Sequence, residues 1–175
     1  MKFYASPTVN NPHGAIVDWE NMTDQFFGYQ RRALGLLLAW GASSVLSGAL
    51  LWSRRDPLLR QLGIQCLVWG AIDVALALAG RRSARHQAIR YHQGELDSTA
   101  VRHAARALQR ILLINAGLDV GYVLAGGWLM HRFRQRRDRQ GMGLGIALQG
   151  FFLFLYDSLV ALDLQRRWFA IERRM

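Results

Sequence analysis

The feature that most constrains this chain is the segregation of its charge into the gaps between four apolar blocks. Residues 33–52 number 20 and carry no charge; residues 62–80 number 19 and carry only Asp73. Residues 111–130 number 20 with Asp119 alone, and residues 142–162 number 21 with Asp157 alone. A hydrocarbon core of ~30 Å takes about 20 helical residues at ~1.5 Å each, so every block is long enough to span. A soluble four-helix bundle of the same length would show a polar stripe every three or four residues along each helix. None of the blocks shows one. The expected fold is therefore all-α: a four-transmembrane-helix bundle made of two helical hairpins.

The mean hydropathy of only +0.04 hides this pattern, because 22 Lys and Arg against 12 Asp and Glu, a net +10, lie almost entirely outside the blocks. Residues 1–22 include Pro7 and Pro12 and read as an N-terminal arm, with helix expected from about Thr23 into the first span. No cleaved signal peptide is expected, since Asp18, Glu20 and Asp24 interrupt the first 30 residues and no apolar run leads to a cleavage site. The membrane domain is placed at residues 23–165, followed by a basic tail at 166–175. The connection at 53–61 contains Asp56-Pro57, which fits a tight turn between antiparallel helices. The middle connection, 81–110, has seven Arg and three His; in it Ser98 is expected to cap an Ala/Arg-rich helix running into span three. The third connection, 131–141, has five Arg, and its Gly141-x-Gly143-x-Gly145 run reads as a flexible lead-in to span four rather than a nucleotide loop, lacking a preceding strand and a following Lys-Ser/Thr.

Gln65-x3-Trp69-x3-Asp73 in span two is matched by Gln149-x3-Leu153-x3-Asp157 in span four, which predicts an internal duplication of one hairpin. Counting basic residues by side gives 14 for the termini and middle connection against 8 for the two short connections, so both termini are expected in the cytoplasm of a multi-pass inner-membrane protein. The Arg-rich flanks suit anionic lipid head groups, at ~1 kcal/mol per basic residue near the surface. The expected partners are thus the bilayer and those head groups. Homo-oligomerisation is left open, and nucleic acid is not expected, because no aromatic interleaving or recognition motif accompanies the basic residues. Two small-residue pairs, Ser44/Gly48 and Gly117/Gly121, permit close helix contact within the chain or between copies.

An ionised Asp at mid-span costs ~3 kcal/mol on insertion scales and such residues usually face the bundle interior. At ~1.5 Å per residue Asp119, Asp73 and Asp157 lie roughly 12, 10 and 8 Å below the surface on the side of the termini, so all three fall in one leaflet. Asn115, Asp119 and Tyr122, at i, i+4 and i+7, share a face of span three, and Tyr156 approaches their level from span four. Acids so close are expected to share protons, leaving at least one uncharged at pH 7. The candidate ligand- or ion-binding set is Asp119, Asn115, Asp157, Asp73, Tyr122, Gln65, Gln149 and Trp69, with Trp40 as a neighbour. No catalytic residue, metal site or cofactor is assigned. The spans contain no Ser/His pair, there is no His-Glu-x-x-His, and all five His (His13, His86, His92, His103, His131) lie outside the spans. Cys66 stands alone and supports no disulfide.

Two readings stay open. In one, the polar cluster binds or passes a small cation, a proton or an amine-bearing ligand. In the other, the acids are interhelical hydrogen-bond glue in a structural or accessory subunit. A membrane enzyme is a third and weaker reading, since the cluster offers only Tyr122 and the acids.

The stretch Ile111 to Tyr122, with Asn115-Ala116-Gly117-Leu118-Asp119-Val120-Gly121-Tyr122 at its end, resembles an uncharacterised bacterial family of small four-helix membrane proteins. Gln149-Gly150-x-Phe152-Leu153-Phe154-x-x-Asp157 and Gln65-x3-Trp69-Gly70-x2-Asp73 resemble it too, over about residues 30 to 162. The resemblance implies the four-helix fold and no activity. Members of that family often have Asn at the position of Asp73, which implies that this acid is the least essential of the three.

Overall fold

Leu- and Ala-rich blocks with no proline inside them favour helix throughout. The computed structural model describes residues 19–166, and among them there are four α-helices and no strand. They are α1 (Trp19–Trp52), α2 (Pro57–His92), α3 (Ser98–Arg132) and α4 (Arg137–Leu164). Each is long and apolar enough to cross a membrane. α1 already runs at Trp19, four residues before the Thr23 expected from the sequence, while the arm before it and the tail after Arg166 lie outside the described residues.

Turn chemistry sets the boundaries. The Asp56 side chain accepts the Leu58 N–H at 2.9 Å and Pro57 occupies the first helical position, where its missing N–H costs nothing. α2 continues well past the apolar block to His92. It is closed by the Gln93 and Gly94 amides donating to Ile89 and Tyr91, with Gly94 at φ 75°. The cap of α3 is Asp97, whose carboxylate accepts the Ala100 N–H at 2.8 Å; Ser98, the expected cap, is the first residue of the helix. The last turn of α3 ends at Phe133, over whose ring the Arg132 and Arg139 guanidinium groups sit at 5.4 and 5.3 Å.

Helices α1 and α2 pack along their length as one hairpin and α3 and α4 as another; α2 also packs on α4, whereas α1 and α3 barely touch. Glycines make these approaches possible. A Cβ on Gly63 would stand 2.5 Å from the Trp52 nitrogen, and one on Gly126 2.5 Å from the Gly143 oxygen, so neither pair of backbones has room for a methyl group. The Gly141, Gly143, Gly145 run is not a flexible lead-in. It is helical and buried, with Gly141 and Gly145 turned to α2 (Leu58 and Gln65) and Gly143 turned the opposite way to α3 (Gly126 and Met130). Alternate residues of a helix point ~200° apart, so three glycines at i, i+2 and i+4 serve two neighbours. Of the small-residue pairs, Ser44/Gly48 packs against α2 at Gly70 and Leu67, while Gly117 and Gly121 face open space.

Polarity is inverted relative to a soluble bundle. Buried side chains include Asp73, Asp119, Asp157, Gln149 and Ser44, whereas Leu46, Leu50, Leu76, Leu118, Leu124 and Leu159 are exposed. In water that arrangement costs free energy at every exposed leucine; in hydrocarbon it is what the medium selects.

The two hairpins are also tied outside the apolar blocks. Arg137 grips Asp56 with two of its guanidinium nitrogens, Nε to Oδ1 at 3.2 Å and Nη2 to Oδ2. That guanidinium first, and the Leu58 N–H second, hold the Asp56 carboxyl below the usual carboxylate range. A carboxyl depressed by folding stabilises above its unfolded value of about 3.9, and that contribution is lost as pH falls through the lower folded value. The tie is therefore intact at neutral and mildly acid pH. Asp56→Asn is expected to lower the melting temperature at pH 7, and the gap from the parent should narrow below pH 4. A gap that stays constant to pH 3 would show that the ion pair contributes nothing.

Candidate functional site

The face of α3 that carries Asn115, Asp119 and Tyr122 at i, i+4 and i+7 turns inward, and so does the face of α2 carrying Trp69 and Asp73. Together with α1 and the Asp157 end of α4 they enclose a cavity of about 400 Å³. Asp73, Asp119 and Asp157 are 2, 3 and 6 % exposed and all line it. No Lys, Arg or His lines it among the described residues.

One of the three acids has a donor on a neighbouring helix. Gln149 Nε2 donates to Asp73 Oδ2, and the Gln149 carbonyl in turn accepts the Trp40 indole N–H at 3.2 Å, a chain running from α1 through α4 to α2. Trp40 is fixed by stacking on Phe152, with centroids 3.8 Å apart and planes 7° apart. Asn115 of α3 stands beside Asp157 of α4 on the same wall. Asp119 differs: its Oδ2 is buried and has no hydrogen-bond partner. Among the described residues one other buried side-chain polar atom is in that state, Gln30 Oε1, and Gln30 lines the same cavity.

Of the eight candidates, the structure brings Asp73, Asp119, Asp157, Asn115, Tyr122 and Trp69 to the cavity wall. Gln149 stands behind the wall as the partner of Asp73. Gln65 is elsewhere, packed on Gly145 where α2 crosses α4, so the Gln65/Gln149 match does not place the two amides alike. Sequence reasoning missed Gln30 and Tyr29. The available signal was helical spacing: Gln30, Ala33 or Leu34, and Leu37 form an i, i+3/i+4, i+7 stripe continuing into the first span.

A model of a family of unknown function, DUF6992, matches residues 36–158. The chain belongs to the DUF6992 family. The matched stretch contains the three acids, Asn115, Gln149 and both aromatic partners Trp40 and Trp69, while Tyr29 and Gln30 lie just before it. No curated protein and no solved structure matches the chain.

Access to the cavity of this DUF6992 chain is restricted at both ends. Toward the termini it is closed by a hydrophobic core drawn from all four helices, with Phe26 and Phe27 of α1, Val101, Ala105 and Leu112 of α3, and Ala161 and Leu164 of α4 buried, and Ala88 and Tyr91 of α2 packed on them. Toward the short connections the helices converge at the glycine contacts of Gly48 with Gly63, Gly126 with Gly143, and Gly141 with Leu58. The cavity residues on α1 and α4 are buried or half-buried. Those that are exposed, including Ile72, Leu76, Ile111 and Leu118, all belong to α2 and α3. The opening is thus a window between α2 and α3, bounded at one end by the Trp69 and Tyr122 rings at 5.4 Å.

Proposed function

We propose that this chain is a multi-pass protein of a bacterial inner membrane, with both termini cytoplasmic, that binds a small cation or an amine-bearing ligand beside Asp119. One observation carries the reading: the two buried polar side-chain atoms without a partner among the described residues, Asp119 Oδ2 and Gln30 Oε1, are both oxygens on one cavity. An unsatisfied buried acceptor costs ~1–3 kcal/mol, more for a carboxylate, and a donor brought in by a ligand recovers it. Three acids, with no basic residue among the described residues of the wall, favour a positive charge there. The volume, about 400 Å³, lies within the ~300–1,000 Å³ range of small-molecule pockets.

Interhelical glue accounts for Asp73, whose partner comes from another helix, and it fails at Asp119. Binding is favoured over permeation because hydrophobic and glycine contacts close both ends. An organic cation is favoured over a metal ion, since among the described residues no three His, Cys, Asp or Glu are grouped as ligands. The same reading takes the hairpins as copies of one ancestor, because Asp73 and Asp157 occupy equivalent places on their second helices and both reach the cavity. The Arg-rich flanks would rest on anionic head groups.

The test is Asp119→Asn, which keeps hydrogen-bonding capacity and removes the charge. In lipid nanodiscs, binding of a monoamine panel followed by melting temperature is expected to weaken at least tenfold, ~1.4 kcal/mol, in the variant. If Asp119→Asn combined with Asp157→Asn leaves both amine binding and stability unchanged from pH 5 to 8, the cation-binding reading is wrong.

A further inference from the structure

We infer that the ligand reaches this cavity from within the bilayer, through the window between α2 and α3, and is a lipophilic amine: a basic nitrogen on an extended apolar body. This rests on the cation-binding reading and adds the route and the class of molecule.

The window is framed by side chains at both ends. On one side the Trp69 and Tyr122 rings bridge α2 to α3; on the other, Ala88 and Tyr91 of α2 join the core that buries Val101 and Ala105 of α3. Between these frames the edges are Ile72 and Leu76, 42 and 59 % exposed, facing Ile111 and Leu118, 55 and 59 % exposed. All four belong to the charge-poor blocks, so the opening lies at the level of hydrocarbon rather than water. Behind this apolar rim lies the unpartnered Asp119 oxygen, on a side chain only 3 % exposed. Asn115, on the window edge, is exposed and stands beside Asp157.

A hydrated inorganic ion has no route to such a site that keeps its water, because both axial ends are closed and hydrocarbon strips the shell. An amine with an apolar body is concentrated in the bilayer by a further factor with each methylene and needs no aqueous path. Its nitrogen would meet Asp119 while its tail stayed between Leu76 and Leu118, polar end inward and apolar end in lipid. Gln30 Oε1 remains for a second donor on the ligand.

The experiment uses the full chain in nanodiscs, with n-dodecylamine, n-dodecanol and n-propylamine as probes. Binding is followed by melting temperature and association rate by tryptophan fluorescence. Dodecylamine is expected to raise the melting temperature saturably, and dodecanol at the same mole fraction is not. Leu118→Trp, and independently Leu76→Trp, substitute lipid-facing residues and narrow the window; each is expected to keep the parental melting temperature and to slow dodecylamine association at least tenfold. If both variants associate at the parental rate, or propylamine binds as tightly as dodecylamine, the lateral route is wrong while cation binding stands. If dodecanol matches dodecylamine, if Asp119→Asn responds like the parent, or if no amine binds, both readings fall together. A window variant that converts a dimer to a monomer would assign the window to a second copy of the chain and overturn the ligand proposal.

Discussion

Gly141→Ala is expected to destabilise the bundle although alanine is the better helix former. A Cβ at position 141 points into the backbone of Leu58, meeting its carbonyl oxygen, carbonyl carbon and Cα. None of these atoms can move aside by a rotamer change, so α4 must shift against the first turn of α2. Overpacking of this kind costs ~1–3 kcal/mol. The gain in helix propensity, ~1 kcal/mol, offsets only part of it. Gly117→Ala is the matched control: it lies in the same kind of helix with nothing within 4 Å of the new methyl group. Only the propensity term acts there, so its melting temperature should equal or exceed the parent's. The readout is thermal melting of the three proteins in one detergent, and a Gly141→Ala variant as stable as Gly117→Ala would show that the α2–α4 crossing is not tightly packed.

That pair of glycines also marks where sequence reading stops. The spans are legible because the membrane imposes a one-dimensional rule: about 20 residues without charge. The rarity of charge inside them makes Asp73, Asp119 and Asp157 legible as well, and a shared depth follows from simple counting. What sits beside what is a different matter. Gly117 and Gly121 have the spacing of a helix contact, yet they face outward, while Gly141 and Gly145 have the same spacing and are buried against α2. The motif states that a close approach is permitted; which helix arrives depends on the rotation of both partners. Gln65 and Gln149 make the same point. Their local patterns match, but α2 and α4 cross near Gly145 and diverge toward the termini, so Gln65 is consumed by the crossing and Gln149 reaches Asp73. Gln30 was overlooked for another reason: it lies before the apolar block, next to Arg31, where a polar residue attracts no notice.

Gln149→Leu is expected to be the most damaging single change in the polar interior, more so than loss of the acid it serves. The Gln149 amide works in both directions, donating to Asp73 and accepting from Trp40, and it is 5 % exposed. Hydrogen bonds between membrane helices average only ~0.6 kcal/mol and reach ~1.7, so their mere loss would be modest. The larger effect is what leucine leaves behind: a buried carboxyl with no partner, at ~1–3 kcal/mol, and a half-buried indole N–H that adds to it. Asp73→Asn removes neither contact, because the asparagine carbonyl still accepts from Gln149 Nε2 and the Trp40 bond is untouched. A loss of about 2–4 kcal/mol for Gln149→Leu against under ~1 kcal/mol for Asp73→Asn is the expected order. Denaturant titration in mixed micelles compares the two directly. The reverse order would mean that the charge of Asp73, and not the amide chain from Trp40 through Gln149, holds α1, α2 and α4 together around the cavity.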